Sequence, residues 1–103
     1  MVNRGDVWWY EPPENKRRPA LVVTRQKAIE NLSEVFVVPA TTTIRDLATE
    51  VELGPEDGMP RNCVLNADHT KTVEKVFFTK RITRLGPIKM AQVCRALALA
   101  HGC

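Results

Sequence analysis

Val35-Phe36-Val37-Val38-Pro39-Ala40-Thr41-Thr42-Thr43 opens with the longest apolar run in the chain that carries no charge, and β-branched residues fill most of it. A run of this length and composition is expected to be a buried strand. Pro39 has no N–H for a ladder hydrogen bond, so that part of the strand is expected at a sheet edge or a bulge. The run ends in three hydroxyls, of which Thr41 and Thr43 fall on one side of an extended chain.

The segments around it repeat the strand character. Upstream, Asp6 to Tyr10 (DVWWY) and Ala20 to Thr24 (ALVVT) are separated by Glu11 to Arg17, where two prolines break the pattern, and the two runs are expected to pair. Lys27 to Asn31 reads as a turn or one helical turn. Downstream, Ala48 to Leu53 alternates apolar and polar residues, Gly54 to Pro60 is turn chemistry, and Cys63 to Ala67 and Phe77 to Leu85 read as further strands. Gly86-Pro87 opens the only long helix, which runs up to Gly102. Ile88, Ala91, Cys94, Leu97 and Ala98 recur there near a 3.6 period and are expected to form its buried face. The fold class is therefore mainly β with one helix: a small, partly open β-barrel with the helix packed against it.

A chain of 103 residues without repeats or Gly/Ser linkers is expected to form one domain over residues 1–103. Hydrophobic residues at 44% and charged residues at 26% exclude the disordered and fibrous classes. No apolar run approaches the ~20 residues that span a bilayer. With no apolar leader at the N-terminus, a cytoplasmic protein without a membrane partner is expected. Cys63, Cys94 and Cys103 are odd in number and widely spaced, which fits neither a disulfide framework nor a zinc site. They are expected as reduced thiols, with Cys63 and Cys94 in the core.

The net charge of +3 is unevenly spread: +2 over residues 1–45, −5 over 46–68 and +6 over 69–103. A basic C-terminal third directs attention to a phosphate-bearing partner. G-x-S-x-G, G-x-x-x-x-G-K-[ST], H-E-x-x-H and EF-hand patterns are absent, and His69 and His101 lack zinc-ligand spacing, so no metal and no cofactor are expected. What remains is polar residues at strand ends: Lys16-Arg17-Arg18 before the second strand, Thr41-Thr42-Thr43 after the third, Asn66-Ala67-Asp68-His69 after the fifth, and Lys80, Arg81 and Arg84 on the last, where 80 and 84 would share a face. A guanidinium, a hydroxyl and a carboxylate or imidazole are the groups needed to cleave RNA through its own 2′-hydroxyl. A base takes the 2′-OH proton, cations and hydroxyls stabilise the phosphorane, and an acid protonates the leaving 5′-oxygen.

Arg4-Gly5-Asp6-Val7-Trp8, then Arg18-Pro19-Ala20-Leu21-Val22-Val23, then Val37-Val38-Pro39-Ala40-Thr41-Thr42 resemble the MazF/PemK family of toxin endoribonucleases, the mRNA interferases. The likeness continues through Asn66 to Thr72, through Lys80 to Leu85 and into the terminal helix. It implies an SH3-like β-barrel with a C-terminal helix, acting as a homodimer that cuts single-stranded RNA at short sequences without metal. The ends would be a 2′,3′-cyclic phosphate and a 5′-hydroxyl, and a cognate antitoxin would block the site. The family's catalytic arginine falls on Arg18, its catalytic threonine on Thr41, and the acid used as a general base in some members on Asp68. Lys16, Arg17, Thr42 and Thr43 are expected to contact RNA, as are Asn66, Lys71, Lys80 and Arg84.

The chain departs from the family in three places. Its loop Glu11 to Arg17 is shorter than in many relatives. Asn66 stands where some members carry an arginine proposed as general acid. Since a guanidinium keeps its proton, the acid is then expected to be His69, because an imidazole exchanges protons near neutral pH. Aromatic residues for base stacking are few, and of the neighbouring Trp8 and Trp9 only one can face the core. Two other readings share this fold or surface: a DNA gyrase poison of the CcdB type, and a member that binds RNA or antitoxin without catalysis.

Overall fold

Stretches of four to eight residues, some alternating apolar and polar and some continuously apolar, build seven antiparallel strands in a computed structural model that describes all of residues 1–103. They are β1 (Asp6–Tyr10), β2 (Arg18–Val22), β3 (Glu34–Thr41), β4 (Glu50–Leu53), β5 (Cys63–Asn66), β6 (Lys71–Glu74) and β7 (Phe78–Arg84), with helices α1 (Gln26–Ile29) and α2 (Pro87–Ala100). The order across the sheet is β4-β5-β3-β2-β1-β7, with β6 also paired to β3. The ends of the sheet meet where the Thr83 hydroxyl of β7 donates to Asp57 O, 2.9 Å away in the turn after β4. Gly58 in that turn has φ +93, and a Cβ there would collide with the Thr83 side chain, so only glycine fits. The result is the expected small barrel. No helix is long and apolar enough to cross a membrane.

The core divides into two clusters. The larger gathers Val7, Leu21, Val38, Leu53 and Leu65 from the strands with Val93 and Ala96 from α2. The smaller holds Val22, Ile29, Val35 and Val37, with Trp8, Tyr10 and Phe78 packed on it. Each fully buried Val or Leu contributes roughly 1.5–3 kcal/mol.

Two expectations about packing are corrected here. The buried face of α2 is Val93 and Ala96, with Met90, Leu97 and Ala100 beside it, whereas Ile88 is 77% exposed and Ala91 and Cys94 lie on the outside. Apolar residues occupy nearly every position of α2, so a 3.6 period can be drawn through either face. Cys94 is therefore a surface thiol, while Cys63 is buried. Secondly, Lys80 and Arg84 do not share a side. Bulges at Thr79 and Ile82 put Lys80 opposite Trp9 and Arg84 opposite Asp6, three residues apart on β1 and so on opposite faces.

β3 runs through the middle of the sheet, and its proline explains the most important irregularity. Val23 N–H donates to Phe36 O at 3.0 Å, so by strand alternation Phe36, Val38 and Ala40 turn their backbone groups toward β2. Val37, Pro39 and Thr41 turn theirs to the other side. There Val37 pairs with Lys71 of β6 and Thr41 with Val64 of β5. Continuing the β5 register would bring Asn66 opposite Pro39, which has no N–H to give. The ladder stops at that point, the chain makes the 3₁₀ turn Ala67–His69, and pairing resumes at Lys71 as β6, a strand the sequence pattern did not reveal. Pro39 is thus an interruption inside the sheet, while on its other side it pairs normally with Ala20.

Candidate active site

Arg18 and Thr41, the ends of β2 and β3, lie two residues beyond the Ala20–Pro39 pair, and both line a depression of about 380 Å³ beside the interrupted ladder. Asn66, His69 and Lys71, from the segment bridging β5 and β6, line it too, as do Thr43 and Arg45 from the loop after β3. A second depression of about 420 Å³ adjoins it, sharing Arg18, Pro39 and Lys71 and adding Tyr10, Asn15 and Lys16. Together they form one groove.

The hydroxyl of Thr41 accepts the Thr43 backbone N–H at 3.1 Å, which leaves its own proton free to donate. Asn66 is buried and its Oδ1 accepts Asp68 N–H at 2.9 Å, capping the 3₁₀ turn that presents His69. Lys71 Nζ stands 6.0 Å above the Tyr10 ring. Burial, and next the charge of Glu74, push the Tyr10 phenol above its ordinary 10.0, so it remains a neutral hydroxyl.

The electrostatics of the groove follow from what is missing in its lining. No Asp or Glu lines either depression. The protein's ion pairs join Arg81 and Arg84 to Asp6 and Lys89 to Asp57, so Lys16, Arg18, Arg45 and Lys71 keep unneutralised charges. A larger depression of about 570 Å³ lies between β4 and α2, but it sets Glu50 and Glu52 against Lys89 and Arg95, and its charges cancel. Size therefore does not pick out the site.

The other sequence candidates are distributed as follows. Lys16 reaches the second depression. Arg17 instead stacks its guanidinium 4.1 Å over the ring of Trp9, the tryptophan left outside the core. Thr42 is exposed and outside the lining. Asp68 is exposed, also outside the lining, and its Oδ2 accepts the Thr49 hydroxyl at 2.6 Å. Lys80 is exposed beside Trp9, and Arg84 is tied to the fully buried Asp6. Arg45 is the charged residue of the groove that sequence reasoning missed, and Tyr10 and Asn15 are uncharged ones. The only cue to Arg45 is an arginine two positions past the threonine run, where the acidic segment begins. No three His, Cys, Asp or Glu side chains converge anywhere in the chain.

A barrel that collects unpaired cations, a hydrogen-bonded threonine and an imidazole in one carboxylate-free groove has the charge pattern that suits a polyanion. The chain belongs to the PemK-like, MazF-like toxins of type II toxin–antitoxin systems, whose pattern its residues 3–101 match. It is 44% identical over 101 residues to the probable endoribonuclease MazF5 of Mycobacterium tuberculosis, covering 97% of this chain and 93% of the relative. Identity to the probable endoribonuclease MazF2 of the same species is 37%, over 99% of this chain and all of the relative. Among solved structures, a mycobacterial endoribonuclease in complex with its cognate antitoxin superposes with a TM-score of 0.88 at 29% identity, covering 99% of this chain and 96% of that one. The Mycobacterium tuberculosis toxin MazF-mt6 gives 0.86 at 29% identity, with 94% and 96% covered.

Proposed function

We propose that this toxin is a metal-independent endoribonuclease that cuts single-stranded RNA in the groove around Arg18 and Thr41. The observation that carries the reading is that these two residues share a groove whose lining holds cations and hydroxyls but no carboxylate. A polyanion enters such a groove without repulsion, and a single strand can present its 2′-hydroxyl there. The 2′-hydroxyl attacks the adjacent phosphorus and its proton leaves to water. Arg18 and the free Thr41 proton stabilise the charge on the phosphorane oxygens. The P–O5′ bond breaks as His69 protonates the 5′-oxygen, giving a 2′,3′-cyclic phosphate and a 5′-hydroxyl. Asp68 takes no part in this chemistry, because its carboxylate is engaged by Thr49 outside the groove.

The protein acts in the cytoplasm as a homodimer, since one 103-residue barrel is too small to enclose a long strand, and a cognate antitoxin neutralises it. Two of the relatives named above are described as probable endoribonucleases, and the solved mycobacterial endoribonuclease is complexed with its antitoxin, which supports an RNA target over a gyrase target. The test is digestion of one long unstructured RNA in EDTA by wild type and Arg18→Ala, with mapping of the fragment ends. Site-restricted cleavage with cyclic phosphate ends, lost in Arg18→Ala, is expected. Intact RNA across a panel of substrates, with gyrase supercoiling inhibited, would overturn it.

A further inference from the structure

We propose that Asp68, Thr49 and Glu50 are a positioning set that holds Arg45 as a contact for an RNA phosphate in the groove; this rests on the ribonuclease reading above. The segment from Thr42 to Thr49 has no helix or strand, yet it is pinned along its length. At its start, Thr43 N–H is caught by the Thr41 hydroxyl. In its middle, the Arg45 and Leu47 N–H groups both donate to Glu50 Oε1, at 3.1 and 3.3 Å. Between those two amides Asp46 takes φ +55, a left-handed conformation uncommon for residues with a side chain, though Asp adopts it more readily than most. At its end, the Thr49 hydroxyl donates to Asp68 Oδ2 at 2.6 Å, and Thr49 O accepts Ala67 N–H at 3.0 Å. The loop is therefore fastened to the same 3₁₀ turn that presents His69.

What this fastening delivers to the groove is the Arg45 side chain. It lines the same depression as Thr41, Thr43 and His69 and has no carboxylate partner. An arginine on a loose loop loses much of its contact energy to ordering, whereas one whose backbone N–H is already bound loses less. A planar guanidinium in a groove without carboxylates, in the depression that holds Thr41 and not the one that holds Lys16, suits the phosphate next to the one that is cut. Asp68 then serves RNA binding through Thr49 and Arg45, and it is a hydrogen-bond acceptor that the loop needs rather than a base.

Conservative and truncating substitutions separate these roles. Steady-state cleavage of an RNA oligonucleotide in EDTA is compared for wild type, Asp68→Asn, Asp68→Ala, Thr49→Val and Arg45→Ala, with a thermal melt for each. The affinity of each for the same oligonucleotide with 2′-O-methyl groups is measured in parallel. Arg45→Ala, Asp68→Ala and Thr49→Val are expected to raise KM and Kd by about tenfold, the worth of one charge-assisted contact, with the pH profile of kcat unchanged. Asp68→Asn still accepts the Thr49 hydroxyl and is expected to restore the wild-type KM. Asp68→Ala added to Arg45→Ala is expected to cost nothing further. A collapse of kcat in Asp68→Asn, or wild-type KM and Kd in folded Asp68→Ala and Thr49→Val, would overturn the assignment. If wild type binds the methylated strand but cuts no RNA, the ribonuclease reading fails, while the Kd series still judges the positioning set. If wild type binds no RNA, both fall.

Discussion

Arg84 on β7 holds the carboxylate of Asp6 on β1, with Nε 2.8 Å from Oδ1, and Asp6 has no exposed surface at all. The same carboxylate also receives Trp8 Nε1 at 3.3 Å and Asn3 N–H at 3.0 Å on its other oxygen. Arg84 is therefore part of the barrel's framework. Arg84→Ala leaves a buried acceptor short of its nearest cation, at a cost of about 1.5–3 kcal/mol. A Tm lower by roughly 10 °C follows for a domain of this size. The KM for RNA is expected to stay at the wild-type value, and an Arg84→Ala protein that melts normally but binds RNA poorly would contradict this assignment.

Thr41 offers a sharper test of chemistry, because its hydroxyl has two separable duties. It accepts the Thr43 N–H and it has a proton left to donate. Thr41→Ser preserves both and is expected to cleave at a rate within a few fold of wild type. Thr41→Val removes both and is expected to lower kcat by about 10²–10³, the usual cost of one donor to a developing oxyanion. Rates on a fluorogenic oligonucleotide, with circular dichroism to confirm folding, read the difference.

The unneutralised cations set a salt dependence. Lys16, Arg18, Arg45 and Lys71 are each free of a carboxylate in the groove. Neutralising four phosphates of a single strand gives log K against log salt a slope of about −3. Lys71→Ala should make the slope shallower by about 0.7, while Lys80→Ala should leave it unchanged. Equal effects from the two would mean that RNA also follows the β1–β7 surface.

The thiols differ in a way that alkylation can count. Burial, reinforced by the charge of Asp57, raises the Cys63 thiol above its ordinary 9.0, whereas Cys94 and Cys103 are exposed. A thiol reagent at pH 8 is expected to modify Cys94 and Cys103 rapidly and Cys63 only after unfolding. The linkage sign follows. Above pH 9.0 the unfolded chain loses the Cys63 proton before the folded one does, so the unfolded state binds fewer protons and stability falls as pH rises through that window. Urea midpoints for wild type and Cys63→Ala between pH 8 and 10.5 would show a decline in wild type that is weaker in the variant.

Much of this structure can be read from residues one at a time. β1 and α2 start where aromatic and Gly-Pro signals put them, because those signals are local, and β4 ends at Leu53 as its alternation predicts but starts at Glu50 instead of Ala48. Local signals failed where apolar residues crowd nearly every position, as on α2. They failed again at β6, whose four residues KTVE include two charges and gain strand geometry only by pairing with β3. The same division applies to the groove. Arg18 and Thr41 stand in polar stretches beside strand signals, and the family resemblance singled them out from their neighbours. Arg45 could not be named, since what brings it to the groove is a carboxylate at Glu50 gripping two amides of the loop. Asp68 beside His69 looked like an acid–base pair, but in a 3₁₀ turn neighbouring side chains diverge, and only His69 reaches the groove.

The proline in the centre of β3 turns the Ala67–His69 segment into an exchangeable insert. Pairing is locked independently on either side of it, by Val37 with Lys71 and by Thr41 with Val64, so a residue gained or lost between Asn66 and Lys71 need not shift either frame. A barrel normally resists insertion at its middle strands, where a one-residue slip would turn the core inside out. Here the tolerant position is also one that lines the groove. Preference among RNA sequences can therefore diverge in this turn while the scaffold that carries Arg18 and Thr41 stays the same.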